Sequence, residues 1–164
     1  MLEVNLYQYM SMLRQFLPIM AKKKERCGVI LVSSAAALSP QPMNLTYSAI
    51  KVAISHIAAA LYEELKEEKY RVDLMCYLPG VIKTNFGNGL ISHLPNKEQL
   101  QATPFNCARA SIRDLGYTSV TYGTALHDII NSTLTLLDKH SRWFAQMICV
   151  DTFVRANRAK RNAK

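Results

Sequence analysis

Two short apolar runs separated by one long amphipathic stretch constrain this chain more than any other feature. Val29-Ile30-Leu31-Val32 is apolar without alternation, as a strand covered on both faces of a parallel sheet must be. A loop with Pro40 and Pro42 follows, and a helical pattern then runs from about Leu45 to Lys69. Its apolar stripe is Ile50, Ile54, Ile57, Ala58, Leu61 and Leu65, while Glu63, Glu64, Lys66, Glu67 and Glu68 fall on the other side. A second apolar strand, Arg71 to Leu78, stops at Pro79-Gly80. Strand, crossover helix and strand form a right-handed βαβ unit, so the sheet is expected to be parallel. Ligands of such sheets gather beyond the carboxyl ends of the strands, which is where Ser34 and Pro79-Gly80 fall.

The crossover helix carries Tyr47-Ser48-Ala49-Ile50-Lys51 near its start. Tyr47 and Lys51 are one helical turn apart, so their side chains share a face. An ammonium there favours the phenolate electrostatically, which is what a phenol acting as a general acid or base needs. Ser34, just past the first strand, is placed to hydrogen-bond the same reacting oxygen. Each of these residue types is common alone; their spacing carries the signal.

Ser34 precedes Tyr47 by thirteen residues, and Tyr47-x-x-x-Lys51 follows an apolar strand. That arrangement resembles the catalytic core of the short-chain dehydrogenase/reductase family. The resemblance implies that the tyrosine protonates a carbonyl oxygen as hydride arrives from a nicotinamide ring. Pro79-Gly80-Val81-Ile82-Lys83-Thr84 is similar to the family's Pro-Gly-x-x-x-Thr segment, in which the turn brings backbone close to the nicotinamide and the threonine bonds its carboxamide. Asn5, twenty-nine residues before Ser34, resembles the asparagine that completes the family's tetrad. By this resemblance the catalytic residues are Tyr47, Lys51, Ser34 and Asn5. The cofactor contacts are Tyr47, Lys51, Pro79, Gly80, Val81 and Thr84.

Within the family the chain looks most like the 17-beta-hydroxysteroid dehydrogenase type 12 and type 3 group, the very-long-chain 3-oxoacyl-CoA reductases. Tyr47-Ser48-Ala49-Ile50-Lys51, Glu63-Glu64, Thr103-Pro104 and Tyr122-Gly123, with an apolar C-terminal part and a basic end, carry the likeness. It implies NADPH as cofactor, a 3-ketoacyl-CoA or a 17-keto steroid as substrate, and work at the cytosolic face of the endoplasmic reticulum membrane. A cytoplasmic location is the alternative. The end Lys160-Arg161-Asn162-Ala163-Lys164 departs from the di-lysine retrieval signal of that group.

The fold class expected is α/β: the C-terminal portion of a Rossmann-like doubly wound parallel sheet. Neither the glycine-rich turn that cradles a pyrophosphate nor the family's Asn-Asn-Ala-Gly segment occurs, so the N-terminal βαβ units are expected to be absent. Residues 1–124 are expected to form the partial catalytic domain and 125–164 a helical C-terminal extension, in which Leu126, Ile129, Ile130, Leu134 and Leu137 suit one helix. An amphipathic helix is expected from about Val4 to Lys22, with Leu6, Met10, Leu13, Leu17 and Met20 on one face. Asn85 to Gln101 reads as a loop, Thr103-Pro104 as a helix start, and Ser119 to Tyr122 as a short edge strand.

Composition narrows the remaining choices. The length of 164 residues fits one domain with a substantial core. No apolar run reaches the ~18 residues that a bilayer crossing needs, and no signal peptide is recognisable. Cys27, Cys76, Cys107 and Cys149 form no pair with metal-ligand spacing, so no metal is expected, and a reduced setting fits them. The formal net charge of +8 is concentrated at the end, in Arg155, Arg158, Lys160, Arg161 and Lys164. A solvated tail and contact with an anionic membrane surface, aided by a Trp143 to Val154 apolar helix, are the two readings of that charge. No basic-aromatic motif points to nucleic acid.

Two functions from different classes stay open at this stage. One is an NADPH-dependent ketone reductase represented by part of its chain. The other is a non-catalytic remnant that binds a membrane or a partner, or associates with itself as a homo-oligomer, through an exposed sheet edge.

Overall fold

The computed structural model describes residues 1–42, 44–90 and 97–140. A π-helical turn, Glu3–Tyr7, leads into helix α1, Gln8–Ala21. Strand β1, Cys27–Val32, is followed by the 3-10 turn Ala35–Ala37 and by the long helix α2, Leu45–Glu67. Strand β2, Val72–Tyr77, short helix α3, Asn85–Leu90, and a 3-10 turn, Lys97–Leu100, come next. Helix α4, Pro104–Asp114, strand β3, Val120–Thr121, and helix α5, Ala125–His140, complete the described chain.

The sheet order is β1-β2-β3 and both pairings are parallel. Cys27 pairs with Val72 and Val32 with Tyr77, so the two longer strands end level with each other. The fold is therefore the α/β arrangement expected, with a βαβ unit at its centre. Residues of β2 from Leu74 to Tyr77 are buried throughout, which matches a strand covered on both faces.

The α2 stripe packs on this sheet. Ile50, Ile54, Ala58 and Leu65 are buried with Leu31, Val72, Leu74, Cys76 and Leu78, and Ile57 and Leu61 close the edges of the cluster. By length and composition α2 is apolar enough to cross a membrane. Here Ile50, Ile54, Ala58 and Leu65 lie in the protein core, while Leu45 and Val52 are exposed. On α1, Leu13 is buried, and Leu17 and Met20, with Leu6 of the π-helical turn, are half-buried against the same cluster, while Met10 is exposed.

Two local expectations differ from the structure. Asn85–Leu90 is helical although it carries Gly87 and Gly89. The Thr84 hydroxyl accepts from the Gly87 amide at 3.2 Å, and this N-terminal cap offsets the poor helix propensity of glycine. Helix α5 turns a polar face inward: His127 and Asn131 are buried while Ile129 is exposed. Their side chains find carbonyl partners there, which removes the usual penalty for burying polar groups. The expected start of α4 holds, with Thr103 accepting from the Asn106 amide at 3.3 Å and Pro104 in the first turn. The predicted Trp143 to Val154 helix, the basic tail and Cys149 lie outside the described residues.

Candidate active site

The end of β1 and the start of α2 are tied together by four polar side chains. Lys51 donates from Nζ to the carbonyl oxygen of Val32 at 3.0 Å. Tyr9, reaching across from α1, donates its hydroxyl to the same oxygen at 3.2 Å. Ser33 Oγ donates to the main-chain carbonyl of Lys51 at 2.7 Å, and Ser55 Oγ lies 2.8 Å from Ser33 Oγ. This lattice fixes the height at which Lys51 leaves the helix.

Lys51 is only 7% exposed, and its pKa is lowered because burial disfavours the charged form. Its Nζ stands 5.6 Å from the centroid of the Tyr47 ring, within cation–π range. The structure thus brings Tyr47 and Lys51 together on one helix face. Tyr47 is half-buried and its ring also meets Phe86 of α3, with centroids 6.2 Å apart. Burial raises the pKa of Tyr9 despite its bond to Val32, and burial likewise raises that of Cys76 beneath Ser55.

Ser34 follows β1 in an extended conformation, two residues past the end of the strand. Its Oγ accepts from the Ala36 amide at 3.2 Å, which caps the 3-10 turn and leaves the hydroxyl proton to donate elsewhere. Ser33 and Ser34 are neighbours on extended chain, so their side chains leave on opposite sides. One goes to the core and the other to the partly open end of the sheet.

The Pro79–Gly80 turn lies where β2 ends. Pro79 gives its carbonyl to the Ala35 amide at 2.9 Å, which binds the turn to the segment after Ser34. Val81 accepts from the Ala102 amide at 3.1 Å. Thr84 is exposed, and its Oγ1 donates to Ile82 O at 3.4 Å besides capping α3. Asn5 sits in the π-helical turn, where Gln8 N–H bonds Glu3 O. Such turns recur at functional positions. The Asn5 side chain donates to Met1 O at 3.2 Å, and its hydrogen bonds among the described residues are local rather than to Tyr47, Lys51 or Ser34.

An apolar groove lies elsewhere. It runs between α1 and β1 and is lined by residues that include Tyr9, Met12, Phe16, Val29 and Ile30. No group of three or more metal-ligating side chains occurs among the described residues.

Sequence reasoning missed Tyr9, Ser33 and Ser55. Signals for two of them existed: Tyr9 is one helical turn from Asn5, and a serine doublet ending an apolar strand must send one hydroxyl inward.

The parallel α/β sheet thus carries the Tyr47-x-x-x-Lys51 helix, with Ser34 beyond the preceding strand and the Pro79–Gly80 turn beyond the next. Residues 1–94 match the family model for short chain dehydrogenase, and the chain belongs to that family. It is 33% identical over 102 residues to the bovine (Bos taurus) dehydrogenase/reductase SDR family member 4, covering 62% of this chain and 36% of that one. Over 163 residues it is 27% identical to the very-long-chain 3-oxoacyl-CoA reductase of Rattus norvegicus, covering 99% of this chain and 47% of the relative. The chain thus spans less than half the length of these relatives.

Among solved structures, one from work on 7beta-hydroxysteroid dehydrogenase stereoselectivity matches with a TM-score of 0.72 at 24% identity, over 86% of this chain and 53% of the other. A short chain dehydrogenase from Burkholderia cenocepacia in complex with NADP matches with a TM-score of 0.65 at 23% identity, over 84% and 57%. Both likenesses are of fold.

Proposed function

We propose that this chain carries the catalytic part of an NADPH-dependent reductase that converts a ketone on a lipid substrate to the alcohol. A 3-ketoacyl-CoA is the favoured substrate, because the relative matched over nearly the whole chain is a very-long-chain 3-oxoacyl-CoA reductase. A 17-keto steroid is the second candidate. The preference for NADP draws on the fold neighbour solved with that cofactor. The same reading puts the protein at the cytosolic face of the endoplasmic reticulum membrane, with the basic tail toward the lipid surface.

The residues present suit the nicotinamide end of the cofactor. Lys51 has three N–H donors and Val32 takes one, so donors remain for ribose hydroxyls. The Thr84 oxygen keeps a lone pair for a carboxamide N–H after accepting from Gly87. Among the described residues no glycine-rich phosphate cradle precedes these groups. The bound cofactor supplies hydride to the carbonyl carbon. Ser34 donates a hydrogen bond to the carbonyl oxygen and so holds the ketone in place. Tyr47 passes its phenolic proton to that oxygen, which leaves an alcohol and a phenolate. Lys51 provides the positive charge beside that phenolate, and solvent returns the proton.

The observation that carries this reading is the 5.6 Å approach of Lys51 Nζ to the Tyr47 ring beside the end of β1. Titration with NADPH followed by fluorescence, then turnover of a 3-ketoacyl-CoA and of a 17-keto steroid, tests it. Saturable binding with turnover is expected. No binding at millimolar NADPH overturns the reading. The α1–β1 groove and the edge of β1, unpaired among the described residues, favour the second reading, a non-catalytic module that docks a partner there. That result would support it.

A further inference from the structure

The turn after β2 is held from above by helix α5. Thr124 caps that helix, with Oγ1 3.4 Å from the His127 amide and its carbonyl 2.9 Å from the Asp128 amide. His127 and Asn131 are one turn apart, so both side chains leave from the same face. His127 Nε2 lies 3.1 Å from Val81 O, and Asn131 Nδ2 lies 3.4 Å from Leu78 O. These carbonyls flank Pro79 and Gly80 on either side. A carbonyl only accepts, so Nε2 carries a proton and donates it. Nδ1 is buried and has no hydrogen-bond partner among the described residues.

Both side chains are almost wholly enclosed, His127 at 0% and Asn131 at 1% exposure. The imidazole also lies flush against Gly80: a Cβ on that residue would stand 2.7 Å from His127 Cδ2. A polar pair on this face is a poor choice for simple packing, since leucines at both positions would bury more apolar surface without an orphaned ring nitrogen. What the polar pair does, and leucines cannot, is grip two backbone oxygens.

We propose that His127 and Asn131 are positioning residues that set the Leu78–Val81 turn, and through it the side of the site where Thr84 and the nicotinamide meet. The proposal rests on the reductase reading for its consequence on cofactor binding, but not for the clamp itself. The clamp couples the C-terminal helix to the mouth of the sheet. Any event that moves α5 is transmitted to the turn through two hydrogen bonds and one ring face.

Hydrogen–deuterium exchange on the full chain tests the clamp without cofactor. In His127→Ala, amides between Gly80 and Thr84 are expected to exchange about fivefold faster, the scale of one lost hydrogen bond, while β1 and the middle of α2 keep wild-type protection. His127→Gln, whose amide reaches the same carbonyl, is expected to restore much of the protection. Asn131→Ala is expected to loosen residues 78–80. Unchanged exchange between 78 and 84 in the alanine variants, or a glutamine variant as loose as alanine, overturns the proposal. Should His127→Ala lose protection everywhere, Asn131→Ala decides: loosening confined to 78–84 supports the clamp, and its absence removes it.

NADPH affinity provides the second readout. The dissociation constant is expected to rise about fivefold in His127→Ala with a smaller change in kcat, and to recover in His127→Gln. A wild-type chain that binds no NADPH counts against the reductase reading, while the exchange pattern still decides the clamp.

Discussion

Ser33 Oγ donates to the main-chain carbonyl of Lys51 at 2.7 Å, so the serine that points inward from the end of β1 locks the helix turn that carries the lysine. Ser33 is 2% exposed and its neighbour Ser34 is half-buried at the open end of the sheet. The two serines should therefore fail differently. Ser33→Ala is expected to lower stability by about 1 kcal/mol, the net worth of a buried hydrogen bond. Ser34→Ala is expected to reduce turnover with a smaller stability loss. Thermal melts paired with initial rates separate them, and equal effects of both variants on rate would contradict the division.

Lys51 is a buried ammonium whose pKa lies below its ordinary value of 10.5 because of desolvation. In the folded chain the lysine binds its proton less tightly than in the unfolded chain. Its charge therefore costs stability at neutral pH, and that cost is relieved as pH rises from the lowered folded pKa toward 10.5. Lys51→Met is expected to match or exceed the wild-type Tm at pH 7, with the gap closing toward pH 10. A gap that widens with pH would show the sign to be wrong. Turnover in this variant is expected to vanish.

Tyr47 lies on the half-open face of α2, so removing its hydroxyl should cost little stability. Tyr47→Phe is expected to retain NADPH binding and to lose turnover by a factor on the order of 10² to 10⁴, the range of a positioned general acid. Stopped-flow or steady-state assays with fluorescence titration check both halves. Unchanged turnover takes Tyr47 out of the mechanism.

Gly80 meets the His127 ring at a distance that leaves no room for a methyl group. Gly80→Ala is expected to destabilise the chain by about 1–3 kcal/mol through overpacking. Placed on a His127→Ala background, the same change should cost less, because the ring it strikes is gone. Denaturant midpoints of the wild-type chain and the three variants form the cycle, and additive losses would place the strain elsewhere.

The βαβ centre was legible because its periods are clean: continuous apolar runs for β1 and β2, and a helical stripe whose Ile50, Ile54, Ala58 and Leu65 are all buried. The Tyr47–Lys51 pairing followed from spacing alone. What stayed hidden depends on contacts that residue type does not announce. Helix α3 forms through the Thr84 cap despite its glycines. On α5 the pattern of Leu126, Ile129 and Ile130 suggested an apolar inner face, but the carbonyls flanking the Pro79–Gly80 turn drew His127 and Asn131 inward and left Ile129 in solvent. The partners of Lys51 and Tyr9 were unreadable for the same reason, being main-chain atoms.

The oxygen that anchors Lys51 belongs to the peptide unit of residue 32. The Val32 side chain is 40% exposed, and any residue at ease in a strand would present the same acceptor. Scanning that position with ordinary substitutions should therefore find a tolerant site with no hint of its role. An amide-to-ester exchange between residues 32 and 33, or a slip in pairing between β1 and β2, is what would unseat the lysine.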